Sequence, residues 1–308
     1  MDWTIENSPH QDNVHILRWG TITATKRATA LVTNDWHWDH PKCKRDILKR
    51  DLDDALKIGA PVFAFGDVLC AMQGKKDKRG NKSALRAEHQ RDDYFNAIVD
   101  DLAEWLKPYY SVMAVISKGN HETAITKNHE IDLISMLVTR MRDRGSPVVL
   151  GGYGGWIMHR FTDRIAEKTK AWSLTKRQKY FHGNGGGGPV TKGVIQAQRR
   201  ATQYADADLI TTGHVHEQYL VNHPREILRD SGRTSLVSQL HVTTPGYKEE
   251  YGIGDGGFHI EGGRPPKPIG GAWVHFKYHQ QSKPDPGCKS RKKSVLMSCE
   301  FTDCGLAV

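Results

Sequence analysis

Five polar clusters stand out by residue type and spacing: Asp35-Trp36-His37, Gly66-Asp67, Gly119-Asn120-His121, His182-Gly183 and Gly213-His214-Val215-His216. Carboxylate, imidazole and side-chain amide oxygen are good ligands for manganese, zinc or iron. Asp67 suits a place between two ions, because a carboxylate has two oxygens and paired ions sit about 3.5–4 Å apart. Asp35 and His37 are alternate residues, so in a regular strand they would point to opposite faces. They must sit on a turn to share an ion. His214 and His216 carry the same condition, and Gly213 supplies the turn. A lone histidine is more often packed or solvated than a ligand. Five such clusters, each just after a strand, make a stronger case. The chemistry they imply is two-metal hydrolysis of a phosphate ester.

The elements must therefore deliver each cluster to the mouth of a sheet, where open α/β sheets bind ligands. The run 28–34 reads as a first central strand ending at Asp35. Ile47, Leu48, Leu52, Ala55, Leu56 and Ile58 recur at helical spacing, giving a helix over 43–58 stopped by Gly59 and Pro61. A second strand, 62–65, ends at Gly66-Asp67. A long helix is expected over 85–106, and a third strand over 111–116 feeds Gly119. A helix follows over 130–144, with Ile131, Ile134, Leu137, Val138 and Met141 on one side. Strands over 148–150 and 156–161, and one ending at His182, come next. A helix over 195–204 precedes a strand ending at Gly213. Later segments, 226–229, 235–243 and 272–278, read as antiparallel strands. Residues 1–24 read as an N-terminal extension with at most a peripheral strand from Val14 to Trp19. Residues 25–281 form the main domain, and 282–308 a basic, loosely packed tail.

With these motifs in place, the chain resembles the calcineurin-like metallophosphoesterase superfamily over roughly residues 29–217. That signature of DxH, GD, GNH, a lone His and GHxH is carried by Asp35/His37, Gly66/Asp67, Gly119/Asn120/His121, His182 and Gly213/His214/His216. The resemblance implies an α/β fold, a four-layer α/β/β/α sandwich of two mixed sheets. It implies that Asp35, His37 and His216 hold one ion, that Asn120, His182 and His214 hold the other, and that Asp67 bridges. A hydroxide held between the ions would attack phosphorus. His121 is then the candidate acid that protonates the leaving group. The family usually reads GDxxD, whereas here Cys70 stands in place of the second acid, which removes the usual means of orienting His121. The segment around His182 looks more like phage-encoded members than familiar eukaryotic phosphatases.

Composition bears on the substrate. The formal charge is +9, which attracts polyanions without defining chemistry. Lys75, Lys76, Lys78, Arg79 and Lys82 follow Asp67 closely and are candidate contacts to a phosphodiester in DNA or RNA. Trp36 and Trp38 flank His37, either stacking on bases or packing in the core. The expected activity is that of a phosphodiesterase or nuclease using two divalent ions, manganese first, with zinc, iron or nickel as alternatives. A phosphomonoesterase would use the same ions, and a metal-binding scaffold protein is a third class. The five cysteines are irregularly spaced and suit a reducing cytoplasm, or a host cytoplasm if the chain is phage-encoded. Cys288, Cys299 and Cys304 form no CxxC pair, which argues against a zinc knuckle among them. The opening residues do not read as a signal peptide. No apolar run has the length of a membrane span, and no obligate protein partner is evident.

Overall fold

The computed structural model describes residues 3–23, 25–71, 85–162, 173–186, 190–191, 193–249, 251, 260, 263, 265–282, 291 and 293–303. Three short apolar runs form its centre: β3 (Ala28–Thr33), β4 (Val62–Phe65) and β5 (Met113–Ser117). Almost every residue in them is buried. Continuous rather than alternating burial suits parallel strands covered on both faces, and β3, β4 and β5 do run parallel. Strand β6 (Val149–Leu150) extends this sheet on one side. Strands β12 (Ala272–Gln280) and β13 (Lys293–Phe301) extend it antiparallel on the other. The resulting six-stranded order is β13-β12-β3-β4-β5-β6.

A second, seven-stranded sheet contains β1 (Trp3–Ser8), β2 (Gln11–Trp19), β7 (Gly154–Thr162) and β8 (Ser173–Phe181). It is completed by β9 (Leu209–Thr212), β10 (Tyr219–Leu228) and β11 (Thr234–Thr243), in the order β1-β2-β7-β8-β9-β11-β10. The two sheets face each other. Leu17, Ile157, Phe161 and Tyr180 meet Ala30, Phe63, Phe65 and Phe276 between them. Tyr180 stacks on Phe65 with ring centres 4.6 Å apart. Fully burying one such side chain contributes about 1.5–3 kcal/mol.

Helices α1 (Arg45–Ile58), α2 (Tyr94–Trp105), α3 (Asn120–His129) and α4 (Leu133–Asp143) cover the outer face of the six-stranded sheet. Leu48, Leu52, Ile98, Leu102, Leu137 and Met141 form the apolar layer there. Helix α5 (Val194–Gln203) lies by the seven-stranded sheet and buries Ala197 and Arg200. Two mixed sheets flanked by helices make the four-layer α/β/β/α sandwich anticipated from the motifs.

Both ends differ from the sequence expectation. In place of a peripheral strand, Trp3–Ser8 and Gln11–Trp19 form a full hairpin, with Trp3 paired in register to Trp19 and both buried. Lys293–Phe301 is no loose tail: all nine residues pair with β12. Beyond it, Thr302 accepts from the Gly271 amide (2.9 Å) and donates to buried Asp51 (3.0 Å). Charge masked this strand, because Lys289, Arg291, Lys292 and Lys293 crowd its start in the sequence, while the exposed face carries Leu296, Ser298 and Glu300 and Val295 turns inward. The long helix expected over 85–106 is two pieces, a 3-10 turn at Ala87–His89 and then α2. Among the described residues no helix is long and apolar enough to cross a membrane.

Candidate metal centre

Each polar cluster sits directly after a strand, and all five converge at one end of the facing sheets. Backbone bonds zip the loops together. The Asp35 amide donates to the Gly66 carbonyl (3.0 Å), the His37 amide to that of Asp67 (2.9 Å), and the Gly213 amide to that of His182 (2.8 Å). The geometric condition posed by alternate residues is met by left-handed backbone. Asp35, His37, Asp67, His214 and His216 have φ of 50°, 46°, 48°, 70° and 51°. Each such residue costs about 1–2 kcal/mol, and strain of this kind gathers at functional sites. Glycines make room where loops touch. A Cβ on Gly119 would overlap the Asp67 carboxylate, and one on Gly213 would lie 2.5 Å from Asp35 Oδ2.

Two triads offer ligand atoms within 4.8 Å of one another: Asp35, His37 and His216, and Asp67, His182 and His214. Acceptor atoms in them crowd together with too few hydrogens to share. Asp35 Oδ1 and His37 Nδ1 are buried without a hydrogen bond, a costly state unless something else binds them. His182 is the clearest case. Its Nδ1 lies 3.1 Å from the Phe65 carbonyl, which can only accept, so that nitrogen carries the hydrogen. Its Nε2 then faces Asn120 Oδ1 at 3.0 Å and Asp67 Oδ2 at 3.3 Å. Three acceptor atoms meeting at one point need a shared proton or a cation. Without a cation, burial disfavours the His182 imidazolium, but Asp67 and Asp35 outweigh it and raise the pKa to about 10. His37 shows the opposite balance. Burial, reinforced by His121 and Lys248, holds it well below the ordinary histidine range and leaves it neutral, the form that ligates metal. The donor set and its orphaned atoms fit divalent cations. An Nδ1–H held by a backbone carbonyl is the usual outer support of a metal histidine.

Two carboxylates missed in the sequence reading hold the loops in place. Glu122, 1% exposed, accepts the amides of Gly119 (2.8 Å), Leu69 (2.9 Å) and Asp67 (3.2 Å). It is the third residue of α3 and reaches back to the residue before the helix. A Glu three places after a helix start is a legible signal, hidden here by the Asn-His pair that precedes it. Burial first, then the Asp67 charge, push its pKa up to about 8. Asp39 accepts the amides of Cys70 (2.5 Å) and Ala71 (2.9 Å) and the Tyr94 hydroxyl (2.7 Å). No local pattern marks Asp39.

His121 keeps an orienting group despite Cys70. Its Nδ1 lies 2.6 Å from the Cys70 main-chain carbonyl, so the hydrogen sits there and Nε2 points toward Asp67 Oδ2 at 3.8 Å. A backbone oxygen thus orients the ring where position 70 offers no acid side chain. The His121 amide also donates to Asp67 Oδ1 at 2.9 Å.

Other expectations fare differently. Trp36 and Trp38 are 0% and 2% exposed and belong to the core, so they offer no surface for bases. The Trp36 indole donates to Thr33, and Arg45 stacks on Trp38 at 3.7 Å. Lys75, Lys76, Lys78, Arg79 and Lys82 lie outside the described residues, as do Cys288 and Cys304. Cys43, Cys70 and Cys299 form no disulfide among the described residues.

No family model and no curated protein matches the chain. Among solved structures it is similar to wild-type Vps29 complexed with zinc from Entamoeba histolytica, at 11% identity, 87% and 98% coverage of this and that chain, and a TM-score of 0.32. It is similar to a conserved protein, a predicted phosphoesterase, from Streptococcus pneumoniae TIGR4 (12%, 89% and 100%, 0.31). It is also similar to GAP50, the anchor in the inner membrane complex of Plasmodium (10%, 82% and 81%, 0.39). Likenesses this distant transfer no role to any residue.

Proposed function

We propose that the protein is a phosphoesterase dependent on two divalent metal ions, manganese first among them, and that it cleaves phosphodiesters in nucleic acid. One observation carries the catalytic reading: acceptor atoms of Asp35, His37, Asp67, Asn120, His182, His214 and His216 converge at strand ends, with Asp35 Oδ1 and His37 Nδ1 buried without a hydrogen bond. Asp35, His37 and His216 would hold one ion, Asn120, His182 and His214 the other, and Asp67 both. When bound, the ions would supply Lewis-acid polarisation of the phosphoryl oxygens and a lowered pKa for water.

The chain's own residues do the rest. His121, held at Nδ1 by the Cys70 carbonyl, presents Nε2 to the site and as imidazolium would give that proton to the leaving oxygen. Glu122 and Asp39 keep the Asp67 loop and the Cys70 carbonyl in register. The phosphodiester preference draws support from the formal charge of +9 and the basic run 74–82.

The test compares bis-p-nitrophenyl phosphate, p-nitrophenyl phosphate, single-stranded DNA, duplex DNA and RNA, each with manganese. Nucleic acid cleavage that falls steeply with salt, and falls again when Lys75, Lys76, Lys78 and Arg79 are neutralised, supports the proposal. Efficient monoester turnover without polynucleotide cleavage overturns the substrate class, and no turnover of any ester overturns the enzyme.

A further inference from the structure

Cys70 lies against the metal centre, and nothing in the proposed chemistry uses its sulfur. One ligand atom each from His37, Cys70 and His121 lies within 4.8 Å of the others. The His37 and His121 rings meet edge to face with centres 4.7 Å apart. His37 and Cys70 are 2% and 1% exposed, and His37 Nδ1 has no hydrogen-bond partner. The sulfur is carried on a rigid backbone, since Asp39 binds the amides of both Cys70 and Ala71. One sulfur and two imidazole nitrogens match a borderline-soft cation such as zinc, cobalt or cadmium better than manganese or magnesium, which favour oxygen.

We infer that His37, Cys70 and His121 form a third, sulfur-containing cation site beside the dinuclear centre, selective for zinc-class ions. Binding replaces the thiol hydrogen with a sulfur–metal bond, and the proton goes to solvent. The site competes with the dinuclear centre, because both draw on His37. It also takes a ring nitrogen of His121. On the phosphoesterase reading above, a zinc-class ion in excess is therefore an inhibitor; the binding itself does not depend on that reading.

Cobalt(II) added to the reduced full-length protein tests the binding directly. A cobalt–thiolate bond gives a strong charge-transfer absorption in the near ultraviolet, which the nitrogen and oxygen donors of the dinuclear centre do not give. The band should grow on titration, disappear in Cys70→Ser, and persist in Cys43→Ser and Cys299→Ser. Absence of the band in the wild type, or its survival in Cys70→Ser, overturns the site. A second measurement needs no variant. X-ray absorption at the zinc edge of wild-type protein loaded with excess zinc should show a zinc–sulfur shell near about 2.3 Å, and a shell of nitrogen and oxygen alone overturns the proposal. For inhibition, each protein is normalised to its own manganese-supported rate. The zinc concentration giving half-inhibition should rise at least about tenfold in Cys70→Ser, as loss of even an outer support costs that much affinity. A cobalt band in a protein that hydrolyses no ester upholds the site and defeats the phosphoesterase reading. An active enzyme whose zinc sensitivity ignores Cys70→Ser defeats the inhibitory role.

Discussion

Glu122→Ala tests how the centre is held together. The Glu122 carboxylate takes three backbone amides, those of Gly119, Leu69 and Asp67, at 2.8, 2.9 and 3.2 Å. Its side chain is buried, so water does not replace it without rearrangement. Each orphaned buried amide costs about 1–3 kcal/mol, so the variant should lose at least about 3 kcal/mol. That is a large part of the roughly 5–15 kcal/mol that stabilises a typical domain. The loss falls on the loop carrying Asp67, so divalent-ion affinity should drop about 10–100-fold as well. Glu122→Gln keeps one acceptor oxygen and turns an NH2 toward at least one of the amides, so its loss should be intermediate. Urea unfolding in the presence of a chelator isolates the protein's own stability from that added by bound ions, and calorimetric titration then reads metal affinity. A Glu122→Ala protein within about 0.5 kcal/mol of wild type, a change expected of an ordinary surface substitution, with unaltered metal affinity, would refute the reasoning.

Other outcomes follow from the same geometry. Asp67→Asn should lower occupancy of both ions and turnover together, measured by elemental analysis and rate, because on the proposed assignment that carboxylate, which meets His182 in one triad, also serves the ion of the other. His121→Gln should leave both ions bound but slow poor leaving groups more than good ones; equal slowing would argue against an acid role. Truncation after Ser282 should destabilise the fold, since it removes all nine paired residues of β13 and the Thr302–Asp51 bond; an unchanged urea midpoint would contradict this. For pH, burial lowers His159 to about 4. The unfolded His159 then takes up a proton below about 6.5 while the folded imidazole stays neutral, so this residue lowers stability by about 1.4 kcal/mol per unit as pH drops toward about 4, adding to the like effect of buried His15 and His241. His159→Gln should flatten that slope, and an unchanged slope would count against it.

Much of this molecule was legible as one-dimensional pattern. Central strands are short apolar runs, so β3, β4 and β5 could be read from apolarity alone, and α1 and α4 from helical spacing. Ligand types at strand ends pointed to residues that the fold brings together as candidate metal triads, because chemistry restricts which residues can hold a divalent ion. Even the need for turns at Asp35-His37 and His214-His216 followed from strand periodicity, and left-handed backbone met it. The rest depended on contacts between distant segments. Asp39 and Glu122 act across 31 and 53 residues, on Cys70 and Leu69, and no local spacing encodes such a reach. The main-chain carbonyl that orients His121 is invisible in a sequence, because every residue has one. Trp36 and Trp38 join the core only in the folded chain, where Trp38 packs between Arg45 of α1 and Trp105 of α2. Strand β13 read as a charged tail because an edge strand exposes one face, and its pairing with β12 is decided by which edge the folded sheet leaves open.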